Sequence, residues 1–276
     1  MKELSIRAIS GTIYVLLLIG SLYMQNALTA LLLVFGILSL VEFSNLIKLK
    51  SFVQYIVFVL LYLAFWYLCV WLNNPNGSDE AIQILLVITV FVNLILIKDL
   101  FTEKKIPLFE SKLYIVTTFY LTSGFVFMLL IANYKHNFTP LLLLGSFILV
   151  WVNDSAAYLV GKNFGKQKLF PSISPKKTVE GFLGGLFFAC ISSFFISKYT
   201  ANILELKFTN WLILAIIISV LGTFGDLIES KFKRQAGVKD SGVIMPGHGG
   251  LLDRLDSIIF ASPFIYLFLR ILSYVS

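Results

Sequence analysis

The sequence predicts an all-α fold: a polytopic helical membrane protein with about nine transmembrane helices and a cytoplasmic N-terminus. Three observations carry this. Of 276 residues, 58% are hydrophobic and only 13% charged, where soluble domains carry about 25% charge. The mean hydropathy is +0.88. The apolar residues also fall in runs of about 20, enough for a helix to cross a roughly 30 Å hydrocarbon layer, and lack the short dyad alternation of an outer-membrane barrel. A water-soluble globule of this composition would expose large apolar patches, and disorder needs the opposite composition. Two cysteines are too few for a disulfide scaffold; Cys69 and Cys190 lie in apolar runs and read as small packing residues.

The first apolar run, Leu4–Met24, has no small-residue cleavage site after it and leads straight into a second, so it is expected to be a retained helix and not a signal peptide. The Gln25-Asn26 junction then forces an antiparallel hairpin with Ala27–Ile47. Phe52–Leu72, Ala81–Phe101 and Leu113–Asn133 continue the series with short connections. Phe138–Val160, Gly181–Ser197, Trp211–Ile228 and Leu255–Ser273 complete it, separated by longer polar loops. Residues 1–150 therefore read as N-terminal transmembrane helices, and residues 151–276 as a C-terminal transmembrane region whose loops hold the chemistry.

Lys and Arg fix the expected orientation. With the N-terminus in the cytoplasm, Lys135, Lys198, Lys207 and Arg270 are the only four of the 22 basic residues on the far side. The cytoplasmic side takes the rest, including Lys98, Lys104, Lys105 and Lys112 and the basic residues of both long loops. The net charge of +7 thus reflects topology and anionic headgroups and gives no support for a nucleic-acid partner. The expected location is the cell membrane, or the inner membrane of a bacterium, with the polar loops facing the cytoplasm.

The densest polar stretch is Asp226–Asp256, with five acids (Asp226, Glu229, Asp240, Asp253, Asp256) and five bases (Lys231, Lys233, Arg234, Lys239, Arg254). Asp226, Glu229 and Ser230 are spaced i, i+3, i+4 and share a helical face, as do Asp253 and Asp256 at the start of the last run. Ionised carboxylates are costly against lipid, so these should point into a cavity and find a cation. Two helix ends bearing clustered carboxylates suit a hard, oxygen-liganded ion such as Mg²⁺. The plainer alternative is pairing with the adjacent bases or capping of the last helix. Between the two acid groups, Met245-Pro-Gly-His-Gly-Gly-Leu251 reads as a loop whose backbone N–H groups can meet an anion, with His248 as a turn residue, a phosphate contact or a neighbour of the metal.

The second polar stretch is Trp151–Gly185. Asp154 and Tyr158 lie i, i+4 near the end of a span, and Ser172-Ile-Ser-Pro-Lys-Lys-Thr178 offers hydroxyls and two cations before a helix start, a mixture suited to phosphate or to an ordinary positive loop. Gly161-Lys-Asn-Phe-Gly165-Lys-Gln has three residues between its glycines and a Gln after its Lys, which excludes an NTPase P-loop. Glu42, alone in the second run, reads either as an ion ligand or as an interfacial acid, the latter preferred.

These residues resemble a known family. Ser230-Lys-Phe-Lys-Arg234, four residues, Lys239-Asp240 and Pro246-Gly-His-Gly-Gly250-Leu-Leu-Asp253-Arg-Leu-Asp256 resemble the signature of phosphatidate cytidylyltransferases (CDP-diacylglycerol synthases). Asn153-Asp154 and Ser174-Pro-Lys-Lys-Thr-Val-Glu-Gly181 are similar to that family as well. The resemblance implies Mg²⁺-dependent transfer of a cytidylyl group from CTP to phosphatidic acid, giving CDP-diacylglycerol and pyrophosphate for phospholipid synthesis, with one or two cations. It implies Asp226 and Asp253 as leading metal ligands, followed by Asp256 and Asp154. Lys233, Arg234 and Lys239 would contact CTP phosphates, with His248 and Gly249 lining the same pocket. Ser174, Lys176 and Lys177 would hold the lipid phosphate or close over the nucleotide, and Ser230 and Arg254 would add substrate contacts.

The many apolar faces leave room for a homodimer. An ion-coupled secondary transporter is the main alternative, since carriers also set acids beside Gly-rich broken helices; against it, there is no inverted repeat and the charges cluster at one membrane face. The Asp-Gly-x-x-Ala-Arg opening of CDP-alcohol phosphotransferases is absent. In the N-D-x-x-D pattern of polyprenyl transferases, Ala157 stands where the second Asp belongs.

Overall fold

The computed structural model describes residues 2–72, 75–102, 105–106, 109–204 and 206–275. Among them run α1 (Lys2–Ser21), α2 (Gln25–Leu46), α3 (Val53–Trp66), α4 (Pro75–Leu100), α5 (Glu110–Val116), α6 (Ser123–Ala132), α7 (Pro140–Phe164), α8 (Val179–Thr200), α9 (Phe208–Ala236) and α10 (Leu252–Val275). A π turn at Tyr67–Trp71 extends α3, and another at Thr117–Thr122 joins α5 and α6 into one continuous helix. Eight of these segments are long and apolar enough to cross a bilayer, so the chain is an integral membrane protein of the polytopic helical kind. They match every expected span but the first, whose apolar part, Ile6–Ser21, is shorter.

Two features depart from the expectation. Helix α9 runs to Ala236, about two turns past the expected end at Ile228. Tertiary contacts hold that polar extension: buried Lys231 donates to the carbonyls of Asp99 (2.5 Å), in the last turn of α4, and of Thr102 (2.7 Å) just after it. The all-α assignment also gains a small antiparallel hairpin, β1 (Lys168–Phe170) and β2 (Ser174–Thr178), with Lys168 opposite Thr178 and Phe170 opposite Ser174. Strands this short and lysine-rich show no alternation of apolar residues from which to read them.

The α5–α6 helix is the central column, with 83% of its apolar window buried. Phe43 of α2 bridges it to α9, its ring 5.6 Å from Tyr120 and 5.2 Å from Phe232. Around it α7 packs on α8, α8 on α9, and α10 on both α9 and α6. Small residues set the closest approaches. A Cβ on Gly225 would lie 2.7 Å from the Asp256 carbonyl, so α9 and α10 meet backbone to backbone beside their carboxylates. A Cβ on Gly181 would lie 2.7 Å from the Ala157 carbonyl, which fixes α8 against α7. Ion pairs fasten both ends of the bundle: Arg270–Asp79 (2.8 Å) at one, Lys112–Asp99 (2.6 Å) at the end carrying the polar loops. Of the lysines named for orientation, Lys104 lies outside the described residues.

Candidate active site

Helix α9 presents Asp226, Glu229 and Lys233 on one face at i, i+3, i+7, and the close α9–α10 contact at Gly225 sets Asp256 opposite them. Carboxylate oxygens of Asp226, Glu229 and Asp256 all lie within 4.8 Å of one another. Glu229 is fully buried, and its Oε1 has no hydrogen-bond partner. Asp256, also buried, accepts from the Ser257 N–H at 2.7 Å. Two cations reach this group: Lys233 pairs with Glu229, and Lys177, delivered by β2, pairs with Asp226. Three carboxylates so close repel strongly in a low dielectric. Two lysines, one of them shared with a further acid, leave room for a cation bound by oxygen, and an orphaned buried carboxylate oxygen is the donor such an ion takes. The donor set is hard and all-oxygen, which fits Mg²⁺.

A cavity of about 710 Å³ opens beside this group. α7 contributes Asn153, Asp154, Tyr158 and Lys162; the hairpin contributes Lys168, Lys176 and Lys177; α9 and α10 contribute Asp226, Lys233, Asp253, Arg254 and Asp256. The lining thus combines carboxylates with several lysines and an arginine, the mixture that a metal-bound polyphosphate requires. The hairpin is held in place locally. Thr178 caps α8, its Oγ1 accepting from Gly181 N–H at 3.1 Å, and the Glu180 carboxylate accepts from the Gln167 N–H at 3.1 Å.

Asp253, expected beside Asp226 as a leading metal ligand, stands outside the close carboxylate group. Its Oδ1 pairs with Lys233 at 2.6 Å. Its Oδ2 accepts from the Ser241 N–H (3.0 Å), Ser241 Oγ (3.0 Å) and Gly250 N–H (2.7 Å), so its bonds go to fixing Lys233 and the loop. Asp154 faces the cavity, with Asn153 donating to it at 3.2 Å, but lies outside the group of three. Ser230 donates to Asp226 Oδ1 at 3.2 Å and acts through it. Arg234 ties the end of α9 to its surroundings, donating to the carbonyls of Val238 (2.9 Å) and Ile173 (3.3 Å). Lys239 is exposed on the loop, and neither it nor Ser174 lines the cavity.

The Met245–Gly249 loop corrects the anion-binding expectation. Pro246 and Gly247 (φ 75°) form a turn in which the His248 N–H donates to the Met245 carbonyl at 2.9 Å, as does the Gly249 N–H at 3.1 Å. The next donors are also engaged: Leu251 N–H reaches Glu42 Oε1 (3.1 Å), and Leu252 N–H reaches Glu42 Oε2 (2.8 Å). Gly249 (φ 92°) lies beneath Asp253, where a Cβ would come 2.9 Å from Oδ2; no L side chain suits that backbone or that space. His248 turns out of the cavity toward α1, its Nδ1 2.8 Å from Ser10 Oγ. Burial holds its pKa below the usual value, helped by the charges of Arg254 and Arg7.

Two residues named in the sequence without a place in the site hold one: Glu229, and Glu42, which is buried and not interfacial. Glu229 shared the noted face with Asp226, and that i, i+3 spacing was the signal for its place in the carboxylate group. Glu42 caps α10 and also accepts from Ser241 Oγ at 3.2 Å. An acid inside an apolar run was its one signal.

A cavity that brings carboxylates and lysines together suits a metal-bound phosphate ligand. A family model described as the cytidylyltransferase family matches residues 5–272, and the chain belongs to that family. The chain is 48% identical over 126 residues to the phosphatidate cytidylyltransferase of Bacillus subtilis (strain 168), covering 46% of each chain. It is 47% identical over 129 residues to that of Staphylococcus aureus (strain COL), covering 46% of this chain and 48% of the relative. The phosphatidate cytidylyltransferase of Staphylococcus haemolyticus (strain JCSC1435) matches at 47% over 129 residues, with the same coverage. The chain spans about half the length of the curated relatives it matches.

Proposed function

We propose that this protein is a phosphatidate cytidylyltransferase: CTP and phosphatidic acid react to give CDP-diacylglycerol and pyrophosphate, in a membrane with the cavity facing the cytoplasm. The observation that carries the reading is the group Asp226, Glu229 and Asp256, two of whose members line one cavity together with Lys176 and Lys177, in a chain of the cytidylyltransferase family. The lipid's phosphate oxygen attacks the α-phosphorus of CTP. A new P–O bond forms, the bond from the α-phosphorus to its bridging oxygen breaks, and pyrophosphate leaves with that electron pair.

The nucleophile is already anionic at neutral pH, so the site needs no strong general base. It must bring two polyanions together and hold attack in line. Lys176, Lys162 and Lys168 line the solvent-facing wall and suit the nucleotide phosphates, while Arg254 stands where the lipid phosphate would arrive. Lys177 and Lys233 are held by Asp226 and by Glu229 and Asp253, which fixes their charges before substrate binds. Asp226, Glu229 and Asp256 would hold Mg²⁺; when bound, it supplies neutralisation of the phosphates and of the leaving pyrophosphate. The transporter alternative has no support in the family membership.

The test is product analysis. Purified protein given phosphatidic acid, Mg²⁺ and each of the four ribonucleoside triphosphates in turn should form CDP-diacylglycerol, identified by mass, and release pyrophosphate with CTP alone. Equal turnover of ATP, or a product lacking cytosine, would overturn the reading.

A further inference from the structure

The main cavity leaves His248 and the first helix unused, and a second cleft lies between them. It encloses about 530 Å³, with Arg7, Gly11, Thr12, Val15, Leu16 and His248 in its wall. One end is cationic. Arg7 is exposed, and its stem crosses Gly247, where a Cβ would lie 2.7 Å from Arg7 Cγ. No acidic side chain among the described residues pairs with it. The His248 ring is fixed by Ser10, whose Oγ also donates to the Pro246 carbonyl at 2.9 Å. Its free edge faces Gly11: an added Cβ there would stand 3.2 Å from Cε1 and 3.6 Å from Nε2. The other end is apolar and open toward lipid, with Leu16 62% exposed. Arg254 joins the two spaces, lining the main cavity while donating to the His248 carbonyl at 2.9 Å.

We propose that this cleft receives the lipid substrate from the bilayer: the phosphomonoester of phosphatidate seats on Arg7 and His248, and an acyl chain lies along Thr12, Val15 and Leu16. Arg254 then meets the same phosphate at the border of the main cavity. The inference rests on the cytidylyltransferase reading above and names the lipid's side of that site. Charge complementarity selects the occupant. A phosphomonoester carries close to two negative charges at pH 7, and a guanidinium binds it in a fork. Its second ionisation lies near the range in which imidazole titrates. A phosphate arriving beside His248 therefore offsets Arg7 and Arg254 and shares its proton with Nε2. A zwitterionic phosphodiester offers one charge and no such proton.

The experiment measures lipid binding by native mass spectrometry and steady-state kinetics on the full-length protein in detergent. Wild type, Arg7→Gln and Gly11→Leu are each titrated with phosphatidate and with phosphatidylcholine. Both variants should weaken phosphatidate binding and raise its KM about tenfold, the loss of one charge-assisted contact, while the KM for CTP stays at the wild-type value. Wild type should prefer phosphatidate over phosphatidylcholine. Unchanged phosphatidate binding in Arg7→Gln, or equal wild-type affinity for the two lipids, would overturn the proposal. Arg7 is exposed, so its variant carries the test if Gly11→Leu does not fold. Wild type that binds phosphatidate through Arg7 yet makes no CDP-diacylglycerol would sink the cytidylyltransferase reading alone. An active enzyme with a normal lipid KM in Arg7→Gln would sink this inference alone.

Discussion

Glu42 shows how one side chain can organise a distant site. Its two oxygens accept from Leu251 N–H, Leu252 N–H and Ser241 Oγ, about 200 residues further along the chain. Ser241 in turn donates to Asp253, which holds Lys233 against Glu229. Glu42→Ala would leave buried donors unpaired and should cost about 3 kcal/mol, read as a lower melting temperature in detergent. Glu42→Gln should fall between the two, because its amide turns a donor toward a donor. His248 gives a pH prediction. Its pKa is lowered in the fold by burial and two arginines, so the unfolded chain takes up the proton first, near pH 6.5. Stability from this residue is therefore complete above that pH and lost as pH falls toward the folded value. The melting temperature of lipid-free wild type should drop between pH 7.5 and 5.5 by more than that of His248→Gln; equal drops would contradict the assignment. Glu42's partners were invisible in the sequence because their contact depends on tertiary packing alone, whereas the Asp226–Glu229 spacing was legible as one turn of helix.

At the scale of elements, the site depends on how closely α9 and α10 approach and on where the hairpin places Lys177. Gly225→Leu would drive a side chain into Phe260 Cβ, 2.6 Å from the position of an added Cβ, and into the Asp256 carbonyl. Such overpacking costs about 1–3 kcal/mol and would part Asp226 from Asp256. The Mg²⁺ concentration for half-maximal activity should rise several-fold, alongside a lower melting temperature. Lys177→Ala should lower kcat/KM by at least about tenfold, equivalent to about 1.4 kcal/mol of transition-state stabilisation. The spans were legible because runs of about 20 apolar residues admit one solution in lipid. The hairpin was not, since Lys168–Phe170 and Ser174–Thr178 carry neither alternation nor a hairpin turn signal. The turn of His248 away from the main cavity was equally hidden, being set by Ser10 on α1.

The whole molecule is a bundle with its charge concentrated at one end, and from the excess of Lys and Arg there we propose that this end faces the cytoplasm. In a background lacking Cys69 and Cys190, Lys239→Cys should react with a membrane-impermeant maleimide in inverted vesicles, and Lys135→Cys should react in intact cells. The reverse pattern would invert the topology and remove the cavity from the CTP pool. Cytidylyl transfer at the carboxylate group is tested by one assay: CTP labelled on its α-phosphate, phosphatidic acid and Mg²⁺ are supplied to purified wild type and to Asp256→Asn, and label is followed into chloroform-extractable lipid. The expected result is labelled lipid from wild type, abolished by EDTA and reduced at least about 100-fold in the folded variant through loss of a metal ligand. Label transferred equally by both proteins, or by neither when both are folded, would contradict it.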